Sequence, residues 1–383
     1  MYRRLLDFLR CPDCGGRLEA AALRTAPDGE ISEGILNCSS SHGFPIVRGI
    51  PRLLSDSLFR HAEDLAPLAR VATDDVYRRY LERKESTANY DRGTKANFDE
   101  EWHQHCVGDR TWSMDLASRV EAFFLEPMRI PREELAGKLV LDAGCGNGSQ
   151  SVAYTQLGCE VIAVDISSGV EHGHRFRRRL EGAVPDKVHF VQADLERPPF
   201  APQLFDIIHS AGVLHHTPDT RRTFESLVPL LKNEGTLYVW LYKYETIVTP
   251  ILNGIRFFTT SIPSSIFSRL ALLLAPAFRV FCATTNALGI RAYASLNRRE
   301  ARLALMDIFG VPYAHYHTYE EVADWYRVLS FTVTWSCNEG RRGFGVCGRL
   351  GLRPENRARA GASTAVDTRG DAVVPARSAA ERI

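Results

Sequence analysis

The sequence predicts an α/β fold in which a doubly wound parallel sheet carries helices on both faces. Two patterns support this. Five short runs rich in Val, Ile and Leu lie between Lys138 and Tyr242: KLVLDAG, EVIAVDIS, VHFVQADL, FDIIHSAG and GTLYVWLY. Each reads as a buried strand, and helical patterns fill most of the gaps between them, as in a parallel sheet covered on both sides. The second pattern is a glycine-rich turn after the first run, leading into the helix-like segment SQSVAYTQLG.

The 383 residues are comfortable for two domains, and 45% hydrophobic with 24% charged residues suits a globular chain with a real core. A net charge of +1 favours neither nucleic acid nor a strongly charged partner. Residues 1–56 hold a CxxC and end in the strand-like FPIVRGIPRLL. Residues 57–135 read as a helical connector or lid, punctuated by Tyr77, Tyr80, Tyr90, Phe98, Trp102 and Trp112. Residues 136–350 form the main domain. Apolar, arginine-dotted helical sequence interrupts it at 243–300, and it resumes with a helix near 318–329 and the strands FTVTWSC and GFGVCGRL. Residues 351–383 have almost no large apolar residue and predict a disordered tail.

MYRRLLDFLRCPDC lacks the sustained apolar run of a signal peptide. The longest uncharged run within 243–300, Phe257–Ser268, holds 12 residues and includes Pro263. A spanning helix needs about 20, so no transmembrane segment is expected. Nine cysteines, an odd number, read as reduced thiols in a cytoplasmic protein.

The turn VLDAGCGNG puts Gly144, Gly146 and Gly148 at alternate positions ahead of a helix N-terminus. Glycine lets backbone turn sharply and approach a ligand, although a tight turn without a ligand has the same pattern. The spacing is G-x-G-x-G, with Ser149 where a dinucleotide fingerprint has its third glycine. Asp142 at the end of the first strand would repel a diphosphate. It suits a ligand with a cationic amino-acid end and a sulfonium. Asp165 and Asp194 end the next two strands, where acids accept from ribose hydroxyls and from an adenine amine. Three acids along one sheet edge mark a ligand edge.

In order and spacing, VLDAGCGNGSQS, VIAVDIS, VQADLERPPF, FDIIHSAGVLHHTPD and LKNEGTLYVWLY resemble the motifs of class I S-adenosylmethionine-dependent methyltransferases over about residues 138–242. The resemblance implies a Rossmann-like, seven-stranded sheet and S-adenosyl-L-methionine as donor. By position, Asp142, Gly144, Gly146 and Gly148 would shape the methionine pocket. Asp165 with Ile166 would hold the ribose, Asp194 with Leu195 the adenine, and Ser210–Leu214 would back the sulfonium. LKNEG stands where many relatives have LKPGG, away from the expected pocket.

Cys11-x2-Cys14 is followed by Cys38-x3-His42, a spacing that can close a tetrahedral structural zinc site. The surrounding residues resemble the small zinc-ribbon-like domain found as a methyltransferase activator or fused ahead of methyltransferases.

His215 and His216, after the fourth strand, are candidate general bases, with packing and turn capping as the alternative. Glu100, Glu101, His103, His105 and Cys106 can serve as metal ligands or as a helix over the donor. His315, Tyr316 and His317 with Glu320 and Glu321 can line the acceptor side. Trp102 and Tyr90 suit a lid over an adenine or sulfonium.

The sequence therefore points to methyl transfer, at oxygen, to a small, sugar- or lipid-linked acceptor. The insertion 243–300 would act as a lid, a homodimer face or an amphiphile surface. An rRNA or tRNA methyltransferase is the alternative, disfavoured by the near-neutral charge and by His209-Ser210-Ala211-Gly212 where an amine-methylating tetrapeptide would stand. A non-catalytic scaffold is the third reading.

Overall fold

The computed structural model describes residues 1–54, 90–103, 105–179, 184–287, 296–337 and 343–351. Tyr77 and Tyr80 of the connector, the side chain of Tyr90 and tail residues 352–383 lie outside the described residues. Four N-terminal strands come first: β1 (Leu18–Thr25), β2 (Ile31–Cys38), β3 (Gly43–Val47) and β4 (Ile50–Leu53). Seven more follow: β5 (Leu139–Ala143), β6 (Glu160–Asp165), β7 (Val188–Ala193), β8 (Phe205–Ala211), β9 (Leu231–Tyr242), β10 (Phe331–Cys337) and β11 (Gly343–Leu350). All 11 share one sheet, ordered β1-β2-β3-β4-β7-β6-β5-β8-β9-β11-β10.

The five apolar runs become the parallel strands β5 to β9, and β11 runs antiparallel between β9 and β10. Alternation along a strand sends successive side chains to opposite faces. Leu139, Leu141 and Ala143 enter one core with Ile162 and Val164, while Val140 enters the other with Val161 and Ala163. Each such Leu, Ile or Val side chain, fully buried, is worth about 1.5–3 kcal/mol. On the first face Phe224, Trp325 and Tyr326 come from α6 (Thr220–Leu227) and α10 (Tyr319–Val328). On the second Tyr154 of α4 (Ser149–Gln156) stacks on Phe124 at 4.0 Å. The doubly covered Rossmann-like sheet expected from the sequence is present.

The N-terminal strands join that sheet directly. β4 pairs parallel with β7 through Arg52↔Gln192 and Leu53↔Ala193. Arg52 is buried; its guanidinium donates to Gln192 Oε1 (2.8 Å) and to Glu171 Oε1 (2.7 Å) on α5 (Val170–Arg177). Gln192 in turn donates to the Ile166 carbonyl (2.9 Å), in the loop after β6.

After β9 the chain leaves the sheet. It forms α7 (Val248–Thr259), α8 (Ser264–Ala287) and α9 (Arg298–Phe309), and returns where Lys243 bridges His317. The excursion therefore closes at His317 rather than at residue 300. Helix α9 begins with a capping box between Asn297 and Glu300, which satisfies the free N–H groups of its first turn. Helix α8 runs straight through Arg269 and Arg279, so by length and composition alone it is long and apolar enough to cross a membrane. Counting uncharged residues stopped at each arginine, whereas a helix places such side chains along its flanks.

Candidate functional site

At the end of β5 the chain turns through Gly144 and Gly146 into α4. Gly144 has φ +88°, and a Cβ there would lie 2.2 Å from the Val213 side chain. Gly146 has φ +55°, and a Cβ there would lie 2.6 Å from the Trp102 indole. Trp102 ends the helix α2 (Tyr90–Trp102), which thus lies over the loop. The loop is fixed by Asp165, whose Oδ2 accepts the Gly146 N–H (2.8 Å) while Oδ1 accepts the Ser167 N–H and hydroxyl (2.8 and 2.6 Å). Burial pushes the Asp165 carboxyl up, and the bonds from Ser167 and Gly146 oppose it.

A cavity of about 860 Å³ opens at the carboxyl ends of these strands. That volume is within the range of small-molecule sites, and a switch point of an open α/β sheet is where they occur. One side of it is formed by Gly144, Asp165, Ile166, Asp194 and Leu195, the sheet edge read from the sequence. Asp194 is raised by burial, and its Oδ1 accepts the Glu196 N–H (2.9 Å). Trp102, His215 and His216 also face the cavity.

Four expected residues do not line it. Asp142 is spent on the Ser151 hydroxyl (2.6 Å) and lies 3.3 Å from His209 Nδ1, so its charge is used inside the core. Gly146 is covered by Trp102, Gly148 faces Phe190, and Ser210 donates to the Ala143 carbonyl (2.9 Å). The segment His315–His317 with Glu321 also stays outside. Tyr316 stacks behind Tyr242 at 5.6 Å, and His317 Nδ1 lies 3.1 Å from Glu321. The Glu100–Cys106 segment forms no metal cluster among the described residues.

Two cavity residues, Asp307 and Arg119, have no assignment from sequence, and Glu101 has only that of a metal ligand or part of a helix over the donor. Glu101 is buried, its Oε2 without a partner among the described residues, and burial followed by repulsion from Asp307 and Asp165 raises it well above the usual range. Asp307 of α9 accepts from the Tyr242 hydroxyl and lies 3.2 Å from His216 Nε2. The other ring nitrogen of His216, Nδ1, sits 2.8 Å from the Tyr313 carbonyl and so carries a proton. Arg119 is buried in the cavity wall, with one of its donors on the Asp109 carbonyl (3.3 Å). A signal existed for Asp307: it is a lone acid in the apolar stretch LALMDIF.

Several histidines here are held neutral. Burial, with nearby arginines, puts His105 at about 4 and His174 at about 2, and burial sends His215 well below 6.5. Each takes up a proton near pH 6.5 when unfolded but not when folded. Their stabilisation is complete above that pH and is lost as pH falls toward 4, by up to about 1.4 kcal/mol per pH unit per histidine. Denaturant titrations should show lower stability at pH 5 than at pH 7. His105→Gln should flatten that slope by about one proton, and an unchanged slope would refute this account.

The second cluster lies near the N-terminus. Cys11, Cys14, Cys38 and His42 place their ligand atoms within 4.8 Å of one another. Cys14 Sγ–Cys38 Sγ is 3.6 Å, and His42 Nδ1 is 3.4 Å from both Cys11 and Cys38 Sγ. Zinc–sulfur bonds of about 2.3 Å give tetrahedral edges of about 3.7 Å, so this donor set fits zinc. Hydrogen bonding, first from the Gly16 backbone, lowers Cys14 to about 6 and favours its thiolate.

Residues 141–239 match the family described as "Methyltransferase domain". A demethylmenaquinone methyltransferase of Clavibacter sepedonicus is 35% identical over 106 residues, covering 27% of this chain and 41% of the relative. A ubiquinone biosynthesis O-methyltransferase of Xanthomonas euvesicatoria pv. vesicatoria is 30% identical over 137 residues, 35% of this chain and 56% of the relative. The chain thus spans about half the length of these curated relatives. Among solved structures, the 1,6-didemethyltoxoflavin-N1-methyltransferase of Burkholderia thailandensis superposes with a TM-score of 0.36 at 17% identity, covering 61% of this chain and 81% of that one.

Proposed function

We propose that the chain is an S-adenosylmethionine-dependent methyltransferase acting at oxygen on a small amphiphilic acceptor. The observation that carries this reading is one cavity that joins the acids ending β6 and β7 to a carboxylate–imidazole pair on its other side.

In this reading Asp165 accepts from the ribose hydroxyls through its remaining lone-pair sites, and Asp194 accepts from the adenine amine. Asp142 is occupied elsewhere, so the donor's ammonium falls to Glu101, whose charged form a cation would restore. Arg119 pairs with the donor's carboxylate. Trp102 covers the sulfonium side and excludes water. Beyond β8, Phe123, Trp240 and Met114 make the far wall apolar and aromatic, which suits a flat ring such as a quinone precursor. The names of the two relatives support that class of acceptor.

The acceptor oxygen attacks the methyl carbon, the carbon–sulfur bond breaks, and its electrons stay on sulfur. The hydroxyl proton goes to the His216–Asp307 pair, which the Tyr242 hydroxyl and the Tyr313 carbonyl hold in place. Alignment of the two reactants can contribute as much as ~7–11 kcal/mol, so the base refines a reaction that positioning mostly drives. His215, neutral and stacked on Tyr242 at 3.9 Å, offers a hydrogen bond to the acceptor. Zinc on Cys11, Cys14, Cys38 and His42 would be structural, with no open position for chemistry.

Calorimetry with S-adenosylmethionine tests the donor site. Wild type should bind, and Asp165→Ala should weaken binding by roughly 10- to 150-fold, the range for hydrogen bonds to a charged group. Equal affinity would remove Asp165 from the site. Donor binding with no transfer to any cellular extract would favour a scaffold, and transfer into RNA would favour the nucleic-acid alternative.

A further inference from the structure

The excursion after β9 carries an unusual pairing of composition and exposure. From Thr246 to Arg299 the sequence holds six arginines and neither an Asp nor a Glu. Helix α7 presents Ile251, Ile255 and Phe258 outward, with Ile247 just before its first turn and Phe257 beside them; Phe257 and Phe258 are 76% and 73% exposed. Helix α8 presents Ile266, Leu270, Leu273 and Val280, with Leu273 73% exposed. The opposite side of α8, Phe267, Ala271, Ala275 and Cys282 at helical spacing, is buried. It packs against Leu305 and Met306 of α9, and Ser268 donates to Glu100 of α2 (2.6 Å). Helix α7 is tied to the same support, since Arg256 donates to the Ile308 and Val311 carbonyls (2.5 and 2.7 Å).

We propose that the outward faces of α7 and α8 form a docking surface for an anionic lipid bilayer. Each helix is fixed to the protein along one face, so α8 lies in the membrane interface instead of crossing it, as apolar helices with flanking arginines do. The charge pattern chooses the occupant. Arg269 and Arg279 are exposed on α8 itself, Arg298 and Arg299 are exposed at the start of α9, and no carboxylate in the segment neutralises them. Lipid phosphates complement these arginines. A second copy bound face to face would instead set arginines against arginines, because a twofold interface opposes a patch to itself. The buried side of α8 reaches the cavity. Asn286 near the end of α8 lines it, as does Trp112, which packs against Ala275 and Cys282. Docking through the outward side therefore leaves helix α8 between the bilayer and the cavity wall. The inference does not depend on the methyl-transfer reading, since binding is measured without any reaction.

Co-sedimentation of the full chain with vesicles tests it. Vesicles of phosphatidylcholine with about a third phosphatidylglycerol should bind roughly tenfold more protein than phosphatidylcholine alone, and salt should weaken the binding. The exposed-site variant Phe257→Ser/Phe258→Ser/Leu273→Ser should lower binding about tenfold, with melting temperature and S-adenosylmethionine affinity unchanged. Arg269→Glu/Arg299→Glu should remove the preference for the anionic lipid. Wild type that remains in the supernatant with both vesicles overturns the proposal. So does equal binding by the apolar variant, or a solution dimer that this variant dissociates while vesicle binding is absent.

Discussion

Asp307→Asn is expected to lower methyl transfer by about 10²–10⁴-fold, the range lost with a positioned general base. Donor affinity should change far less than the rate, because Asp165 and Asp194 are untouched and Asp307 acts on the donor only through its repulsion of Glu101. The substitution keeps the size of the side chain and its bond to Tyr242. It removes the carboxylate charge 3.2 Å from His216 Nε2, where the acceptor's proton is to arrive. Transfer from methyl-tritiated S-adenosylmethionine into an organic extract of cells measures the rate, and calorimetry measures the donor. The residual rate of the variant should rise with pH, as a solvent-deprotonated hydroxyl takes over the attack. Full activity in Asp307→Asn, or equal losses in rate and donor affinity, would remove the pair from the chemistry.

Cys11→Ser is expected to release the metal and cause the largest loss of stability. Cys11 is buried in the same apolar cluster as Leu9 and Leu36, so a vacant position there cannot be filled by water without opening the module. Removing one partner of a buried charged set costs about 3–5 kcal/mol. For domains of this size that is a fall of roughly 6–20 °C in melting temperature. Elemental analysis should drop from about one zinc per chain to near zero. Wild type free of metal when prepared without chelator would refute the site, as would a variant that keeps both its metal and its melting temperature.

Strands β5 to β9 were legible because a parallel sheet buried on both faces writes itself as continuous Val, Ile and Leu. The Cys11–His42 cluster was legible because its ligands lie in two tight local pairs. Less visible was anything set by distant pairing. Nothing in IPRL announces that it lies beside VHFVQA, more than 130 residues later. Asp142 looked like a ligand because its place at a strand end is local, whereas the partners that occupy it, Ser151 and His209, come from α4 and β8. Glu101 and Asp307 reach the cavity from helices outside the sheet, so strand-end reasoning does not find them. The length of helix α8 was hidden for another reason: arginine counts as a break in a linear scan but does not end a helix.

The parallel joint between β4 and β7 has a consequence for how the chain is made. Synthesis proceeds from the N-terminus at about 5–20 residues per second. Leu53 therefore leaves the ribosome roughly 7–28 s before its neighbour Ala193 exists. During that interval β4 is an open edge beside β3, with hydrogen-bonding groups that another nascent chain can pair with. Arg52 waits through the same interval as an uncompensated cation, which disfavours such pairing until Glu171 and Gln192 arrive. The side chain that later locks the two parts of the sheet together thus guards the edge while the sheet is incomplete.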